Sequence, residues 1–230
     1  MSDCSVRRET TLLVIAKAPI AGYAKTRLTP PLTPRDAARV AAAALLDTLD
    51  SVLRSEVTHR VVAFTGDVDA AECRDELRSA LADFVVIPQR GDDFGDRLAN
   101  AHADAARFGA PVLQIGMDTP QIGPRVLTSA AHRLAAGNVA LLGPAEDGGW
   151  WALGLPTAQP ARVLADVPMS TDRTGELTRK ALRHTGCRVR SLPTFSDVDT
   201  FADAIRVAAQ STGRFASTFH ELHDRGLVLR

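Results

Sequence analysis

Short apolar runs alternate with stretches of helical periodicity from one end of this chain to the other, and that alternation restricts the fold more than any other feature. Repeated strand-helix units cover both faces of a mostly parallel sheet, so the spacing predicts a three-layer α/β/α sandwich. Strands are expected near 11–16, 60–65, 84–88, 111–116, 138–143, 150–155 and 187–192. Helices are expected near 34–54, 69–82, 95–108, 124–135, 173–185, 200–211 and 213–224. The first helix has a clear start: Thr33 can cap it, Pro34 suits its first turn and Asp36 complements its positive end. No linker rich in Ser, Gly or Pro divides the chain, so residues 11–230 read as one domain behind a tail over 1–10. The segment 156–171, with three prolines and few periodic apolar residues, reads as an excursion over a site.

Composition narrows the class. A length of 230 residues suffices for one sizeable core. Lys plus Arg and Asp plus Glu are equal at 27 each, which argues against a general nucleic-acid or membrane-surface binder and directs attention to local charge clusters. Cys4, Cys73 and Cys187 are scattered and odd in number, so neither a disulfide framework nor a zinc site is indicated. Residues 1–10 lack the apolar segment of a signal peptide, and no later apolar run reaches membrane-spanning length. The expectation is a soluble cytoplasmic protein.

The most informative loop follows the apolar run Leu12–Ala16. It reads Lys17-Ala18-Pro19-Ile20-Ala21-Gly22-Tyr23-Ala24-Lys25-Thr26-Arg27-Leu28. Open α/β sheets bind ligands at the carboxyl ends of their strands, and a loop there with three cations and Gly22 suits phosphate oxygens. The natural partner is a nucleotide or another phosphorylated molecule. A P-loop does not fit, because aligning its Lys-Ser/Thr on Lys25-Thr26 places Ala24 and Pro19 where glycines are required. A dinucleotide G-x-G-x-x-G is absent from the loop as well.

Acidic signals follow further along. Gly116-Met117-Asp118-Thr119-Pro120 puts Asp118 at the carboxyl end of the fourth strand, facing the cationic loop if the order is 3-2-1-4. A carboxylate opposite phosphate-binding cations points to Mg²⁺, although Asp-Thr-Pro is also good turn chemistry. Asp147-Gly148-Gly149 separates two strand-like runs, as a close approach to a ligand or as a plain hairpin turn. Asp197-Val198-Asp199-Thr200 opens a late helix, where alternating carboxylates can serve a cation or Asp199 can act as N-cap.

Taken in order, K-A-P-x-x-G-x-x-K-T-R-L, G-x-D-x-P, G-P-A-E-D-G-G-W and D-V-D-T span nearly the whole chain. This series resembles the radical-SAM/selenodomain-associated transferase family, the arsenosugar-biosynthesis type of glycosyltransferase, within the GT-A-like nucleotide-diphospho-sugar transferases. The first fifty residues or so are also similar to 2-phospholactate guanylyltransferase, with a comparable K-T-R-L loop before a helix carrying Asp47. The resemblance implies a GT-A-like, Rossmann-type fold with a mostly parallel mixed sheet, holding a nucleotide with Mg²⁺ or Mn²⁺. It assigns Lys17, Lys25 and Arg27 to the phosphates, with Ala18, Pro19, Gly22 and Thr26 completing the loop. Asp118 and Asp199 become metal ligands, with Gly116 beside the first. Asp147, Gly148 and Gly149 become the acceptor-side turn, with Asp147, Asp118, Lys25 and Arg27 as the catalytic group. Gln89 and Gly91 lie in a loop that approaches the base in similar proteins. Trp150 stands where Tyr is usual, and Met169 where the family often has Trp, so the departures fall on the acceptor side.

Of Trp150 and Trp151, adjacent on a strand, only one is expected at a ligand. His220-Glu221-Leu222-His223 lacks the zinc-protease spacing, and Phe215, Phe219 and Leu222 share a helix face suited to packing on the domain or on a second subunit. Two chemistries fit a nucleotide and a small-molecule acceptor: nucleotidyl transfer from an NTP to a phosphorylated or phosphonylated acceptor, or glycosyl transfer from a nucleotide sugar. The cation-rich loop favours the first, because an NTP carries more negative charge. A silent nucleotide-binding module would be expected to have lost Asp118, Asp147 and Asp199, all of which are present.

Overall fold

In the computed structural model residues 9–228 are described; Cys4 and all but the last two residues of the expected tail lie outside them. Seven strands and seven α-helices follow in the expected order. They are β1 (Thr11–Lys17), α1 (Pro34–Leu53), β2 (His59–Thr65), α2 (Arg74–Leu81), β3 (Val85–Pro88), α3 (Phe94–Ala105) and β4 (Val112–Gly116). After these come α4 (Pro124–Ala136), β5 (Ala140–Pro144), β6 (Trp150–Leu155), α5 (Thr174–His184), β7 (Val189–Ser191), α6 (Phe201–Ala208) and α7 (Arg214–Val228).

The strands form one sheet in the order β3-β2-β1-β4-β6-β5-β7. Every pairing is parallel except those of β6, which runs antiparallel to both β4 and β5. The β5–β6 hairpin thus inserts its second strand beside β4, which makes the sheet mixed. Alternate β1 residues face opposite layers, as the pleat requires. Leu12 and Val14 pack with α1, α2 and α4, while Leu13 and Ile15 pack with α3 and α5.

Two elements differ from the sequence expectation. Helix α2 starts at Arg74 because Cys73 takes a left-handed conformation at φ 54°, behind a 3₁₀ turn over Val68–Ala70. The excursion 156–171 contains a 3₁₀ run, Gln159–Asp166, that buries Ala161 and Leu164. Their three-residue spacing is the 3₁₀ period, and Pro160 occupies its first turn. This run lies against α3 so closely that a Cβ on Gly95 would come within 2.3 Å of the Leu164 carbonyl oxygen.

Outside the three layers, α7 packs on α1, and α6 on α7, with Phe215, Phe219 and Leu222 of α7 in the shared cluster, so that apolar face is spent within the chain. Buried Asp47 of α1 anchors the pair, accepting the Arg214 N–H at 3.0 Å and the Phe215 N–H at 2.8 Å. It therefore caps α7 from across the structure, 167 positions away in sequence. Asp47→Ala leaves two first-turn donors unpaired and is expected to lower unfolding stability by about 2 kcal/mol, as read by urea denaturation. An unchanged midpoint would show that water replaces the cap.

Between α3 and β4, fully buried His102 and Gln114 meet at 3.1 Å, Nδ1 to Oε1. Burial pushes the His102 pKa down to about 4, only partly opposed by the hydrogen bond to Gln114. The unfolded chain binds this proton more tightly, so the stability contributed is complete above about pH 6.5 and is lost as pH falls towards 4. The loss should reach roughly 3 kcal/mol. Denaturation between pH 4 and 7 should show this slope in the native protein and a flatter one in His102→Gln.

Candidate active site

Parallel pairing of Thr11–Ile15 with Val112–Gly116 brings the carboxyl ends of β1 and β4 side by side. The loops leaving them face each other across an open cleft of about 830 Å³. Lys17 ends β1, and its Nζ lies 3.9 Å above the centre of the Tyr23 ring, a cation-π contact that holds the ammonium at the rim. The chain then turns through Gly22 at φ 74° and reaches Lys25, itself left-handed at φ 51°. A 3₁₀ turn over Thr26–Leu28 buries Leu28 and turns Arg27 outward.

Each of the two later cations meets a carboxylate from the opposite wall. Lys25 Nζ lies 2.7 Å from Asp118 Oδ2, with only 13% of the lysine side chain exposed. Burial pushes the Lys25 pKa down, but the charge and hydrogen bond of Asp118, with Asp197 and Asp199 behind it, more than offset this and hold it above the ordinary lysine value. Arg27 Nη1 lies 2.5 Å from Asp199 Oδ2, and this guanidinium is 70% exposed.

The Val198 N–H donates to the Asp118 carbonyl at 2.9 Å, which clamps the segment before α6 onto the end of β4. Val198 is buried, so Asp197 and Asp199 on either side of it turn to the cleft. Asp199 is not the cap of α6: Thr200 is, in a reciprocal capping box with Asp203. Burial, followed by the charges of Asp118 and Asp147, pushes the Asp197 pKa up to about 7 against the opposing pull of Lys25. The acidic wall is therefore under mutual repulsion.

Asp147 enters from the β5–β6 hairpin and accepts the Gly149 N–H at 2.8 Å. That turn is fastened to α5, since the Gly175 N–H donates to the Gly148 carbonyl at 2.8 Å. Gly148 sits at φ 88°, and a Cβ there would fall 1.8 Å from the Asp172 carbonyl oxygen.

Of the residues singled out from sequence, Lys17, Lys25, Thr26, Arg27 and Gln89 line the cleft. Gly116, Asp118, Asp147, Gly149 and Asp199 line it as well. Ala18, Pro19, Gly22, Gly91 and Gly148 are not among the residues that line it. The Ala18 N–H donates to Thr65, Pro19 accepts from Glu72, and Gly91 turns at φ 134° so that α3 can begin. The Gln89 amide nitrogen is engaged by the carbonyls of Ala16 and Ala63 at 2.8 and 2.9 Å, so it ties β1 to β2 at the cleft floor. Both tryptophans border the cleft: half-buried Trp150 puts its indole N–H on Thr178, whereas Trp151 is 2% exposed and edge-on to Phe195.

Sequence reasoning read Asp197 with Asp199 as carboxylates that can serve a cation but left it out of the metal set, and it gave no role to Tyr23 or Arg97; all three are on the cleft. The D-V-D pattern carried the signal for Asp197, because a buried central Val forces both carboxylates the same way. Nothing local marked Tyr23 or Arg97.

A family model described as an uncharacterized protein conserved in bacteria, DUF2064, matches residues 48–171, just over half of the chain. The chain belongs to the DUF2064 family. In this DUF2064 protein the matched span includes Asp118 and Asp147, while the Lys25 loop and Asp199 flank it. No curated protein matches the chain significantly.

Among solved structures, the DUF2064 protein is similar to a candidate nucleotide-diphospho-sugar transferase from Desulfovibrio desulfuricans G20, at 24% identity over 97% of each chain, with a TM-score of 0.80. Rv0371c from Mycobacterium tuberculosis H37Rv, in complex with manganese, matches at 19% identity over 87% of this chain and 97% of that one, with a TM-score of 0.51. CMP:2-keto-3-deoxy-manno-octonic acid synthetase complexed with CTP matches at 13% identity over 93% of this chain and all of the other, with a TM-score of 0.55. These identities establish the fold, a GT-A-like α/β sandwich. Among the described residues no helix is long and apolar enough to cross a membrane.

Proposed function

We propose that this protein is a nucleotide-using transferase that works with a divalent cation, and that its reaction is nucleotidyl transfer from an NTP to a small phosphorylated or phosphonylated acceptor. The observation that carries this reading is the meeting of Lys17, Lys25 and Arg27 with Asp118, Asp147, Asp197 and Asp199 across one cleft at the carboxyl edge of the sheet. Relatives of the same fold, one holding CTP and one manganese, support it.

The donor set fits a hard cation. Asp118, Asp147 and Asp197 offer only carboxylate oxygens; burial first, and then the charges of Asp118 and Asp147, raise Asp197 to about 7, and a divalent charge relieves the repulsive share. Among the described residues no three His, Cys, Asp or Glu side chains are gathered as a ready metal centre. Mg²⁺ commonly takes one or two carboxylates together with water and substrate phosphates, and Asp118 with Asp197 or Asp199 can supply that share. A bound Mg²⁺ or Mn²⁺ supplies charge neutralisation on phosphate oxygens.

The chain's own groups do the rest. An acceptor phosphate oxygen bonds to the α-phosphorus of the NTP, the bond from that phosphorus to the β-bridging oxygen breaks, and pyrophosphate leaves with the electron pair. Lys17, Lys25 and Arg27 stabilise the charge gathering on the leaving group. The Asp147–Gly149 turn, bolted to α5, holds the acceptor in line.

Glycosyl transfer is the second reading, favoured by the likeness to the Desulfovibrio desulfuricans protein and by the arsenosugar-type motifs. In it an acceptor hydroxyl attacks the anomeric carbon and NDP departs. Incubation with Mg²⁺, each NTP and a pool of phosphorylated and phosphonylated acceptors is expected to release pyrophosphate. NDP from a nucleotide sugar, with no pyrophosphate, would overturn nucleotidyl transfer in favour of the second reading. No rise in melting temperature with any NTP or nucleotide sugar, with or without Mg²⁺, would overturn both.

A further inference from the structure

The cations of the first loop and the acids facing them are each other's partners in this structure, although both are arranged to hold something else. Lys25 is the sharper case. Its ammonium is largely withdrawn from water and has Asp118 at 2.7 Å. Arg27 makes the parallel contact to Asp199 at 2.5 Å from a far more exposed position. Both pairs tie the segment from Gly22 to Leu28 to the acidic wall.

We propose that Lys25 and Arg27 are reserve counter-ions for the acidic wall, released only when a divalent cation and a nucleotide arrive together, so that the two ligands bind with positive coupling. This rests on the nucleotide and metal reading above. A divalent cation on Asp118 must displace the Lys25 ammonium, and with no phosphate to receive it that buried charge loses its partner. A nucleotide alone that draws Lys25 and Arg27 to its phosphates leaves Asp118, Asp147, Asp197 and Asp199 facing one another and the polyphosphate unscreened. Each ligand alone thus bears a penalty that the other removes. In the ternary state Lys25 exchanges a carboxylate for a phosphate and Asp118 exchanges an ammonium for the metal. Lys25 carries most of the coupling, because Arg27 is exposed and water can replace its partner.

Linkage makes the effect reciprocal, and couplings of this kind run from roughly five- to a hundredfold. The test is Mn²⁺ binding to the full chain at pH 8, followed by the electron paramagnetic resonance of free Mn²⁺ with no nucleotide present. Lys25→Met is expected to bind Mn²⁺ about tenfold more tightly than the native protein, because the competing ammonium is gone; a lysine that serves phosphate alone leaves Mn²⁺ affinity unchanged. As a second measurement, independent of whether Lys25→Met folds, Asp118→Asn is expected to bind metal-free CTP several-fold more tightly than the native protein in calorimetric titration.

Equal Mn²⁺ affinity in the native protein and Lys25→Met, with CTP affinity unchanged in Asp118→Asn, overturns the coupling and leaves the transferase reading standing. No Mn²⁺ binding to either protein at millimolar concentration overturns the metal part of that reading and the coupling with it.

Discussion

Asp118→Asn is expected to fold as the native protein does and to lose about a hundredfold or more of its metal-dependent turnover. The side chain is nearly isosteric and partly exposed, at 32%. What it loses is charge. Asp118 lies two residues past the end of β4, the strand that pairs with β1, so its carboxylate stands where the cationic loop, Asp197 and Asp147 converge. An amide there can still accept from Lys25, but it is a far poorer ligand for a hard cation. The check is initial rate against Mg²⁺ concentration, with circular dichroism confirming the fold. Native-level turnover in the variant would remove Asp118 from the metal site.

Gly148→Ala should be the most damaging single methyl in the cleft scaffold. Two independent constraints meet at this residue: φ is 88°, and the added carbon would fall 1.8 Å from the Asp172 carbonyl oxygen. That neighbour is backbone and cannot rotate away, so the β5–β6 turn must part from the start of α5. The Gly175-to-Gly148 hydrogen bond goes with it. Stability should fall by on the order of 3 kcal/mol or more. For a chain of this size that corresponds to a melting temperature lowered by roughly 10 °C, measured by calorimetry. Turnover should fall further than nucleotide affinity, since this turn carries Asp147 while the cationic loop lies on another strand. A variant that melts within a degree or two of the native protein would mean that the turn has room the structure does not show.

Much of the candidate site was legible because it is made of contiguous loops at strand ends. Lys17 through Leu28 follows one apolar run, Asp118 follows another, and Asp147-Gly148-Gly149 stands between two more. Any α/β sandwich delivers such loops to the same edge. What escaped was the division of labour inside each loop. Gly148 and Asp147 look alike as turn residues, yet one is a steric hinge and the other borders the cleft. Gln89 reads as a ligand group, but its amide nitrogen is engaged by two backbone carbonyls. Asp199 and Thr200 are both good caps, and the reciprocal contact with Asp203 selects Thr200.

By itself, the sequence determined the alternation of elements, the start of the first helix, and the chemistry carried to the sheet edge. These follow from periodicity and local capping, which act over a few residues. Tertiary structure alone decided which distant groups meet. Asp47 caps a helix that begins at Arg214, and Arg27 pairs with Asp199, 172 positions away. Lys25 pairs with Asp118 only because β4 lies beside β1, while antiparallel β6 separates β4 from β5. Contacts of that kind leave no local pattern, because their energy arises from burial and charge that exist only once the sheet has closed the distance.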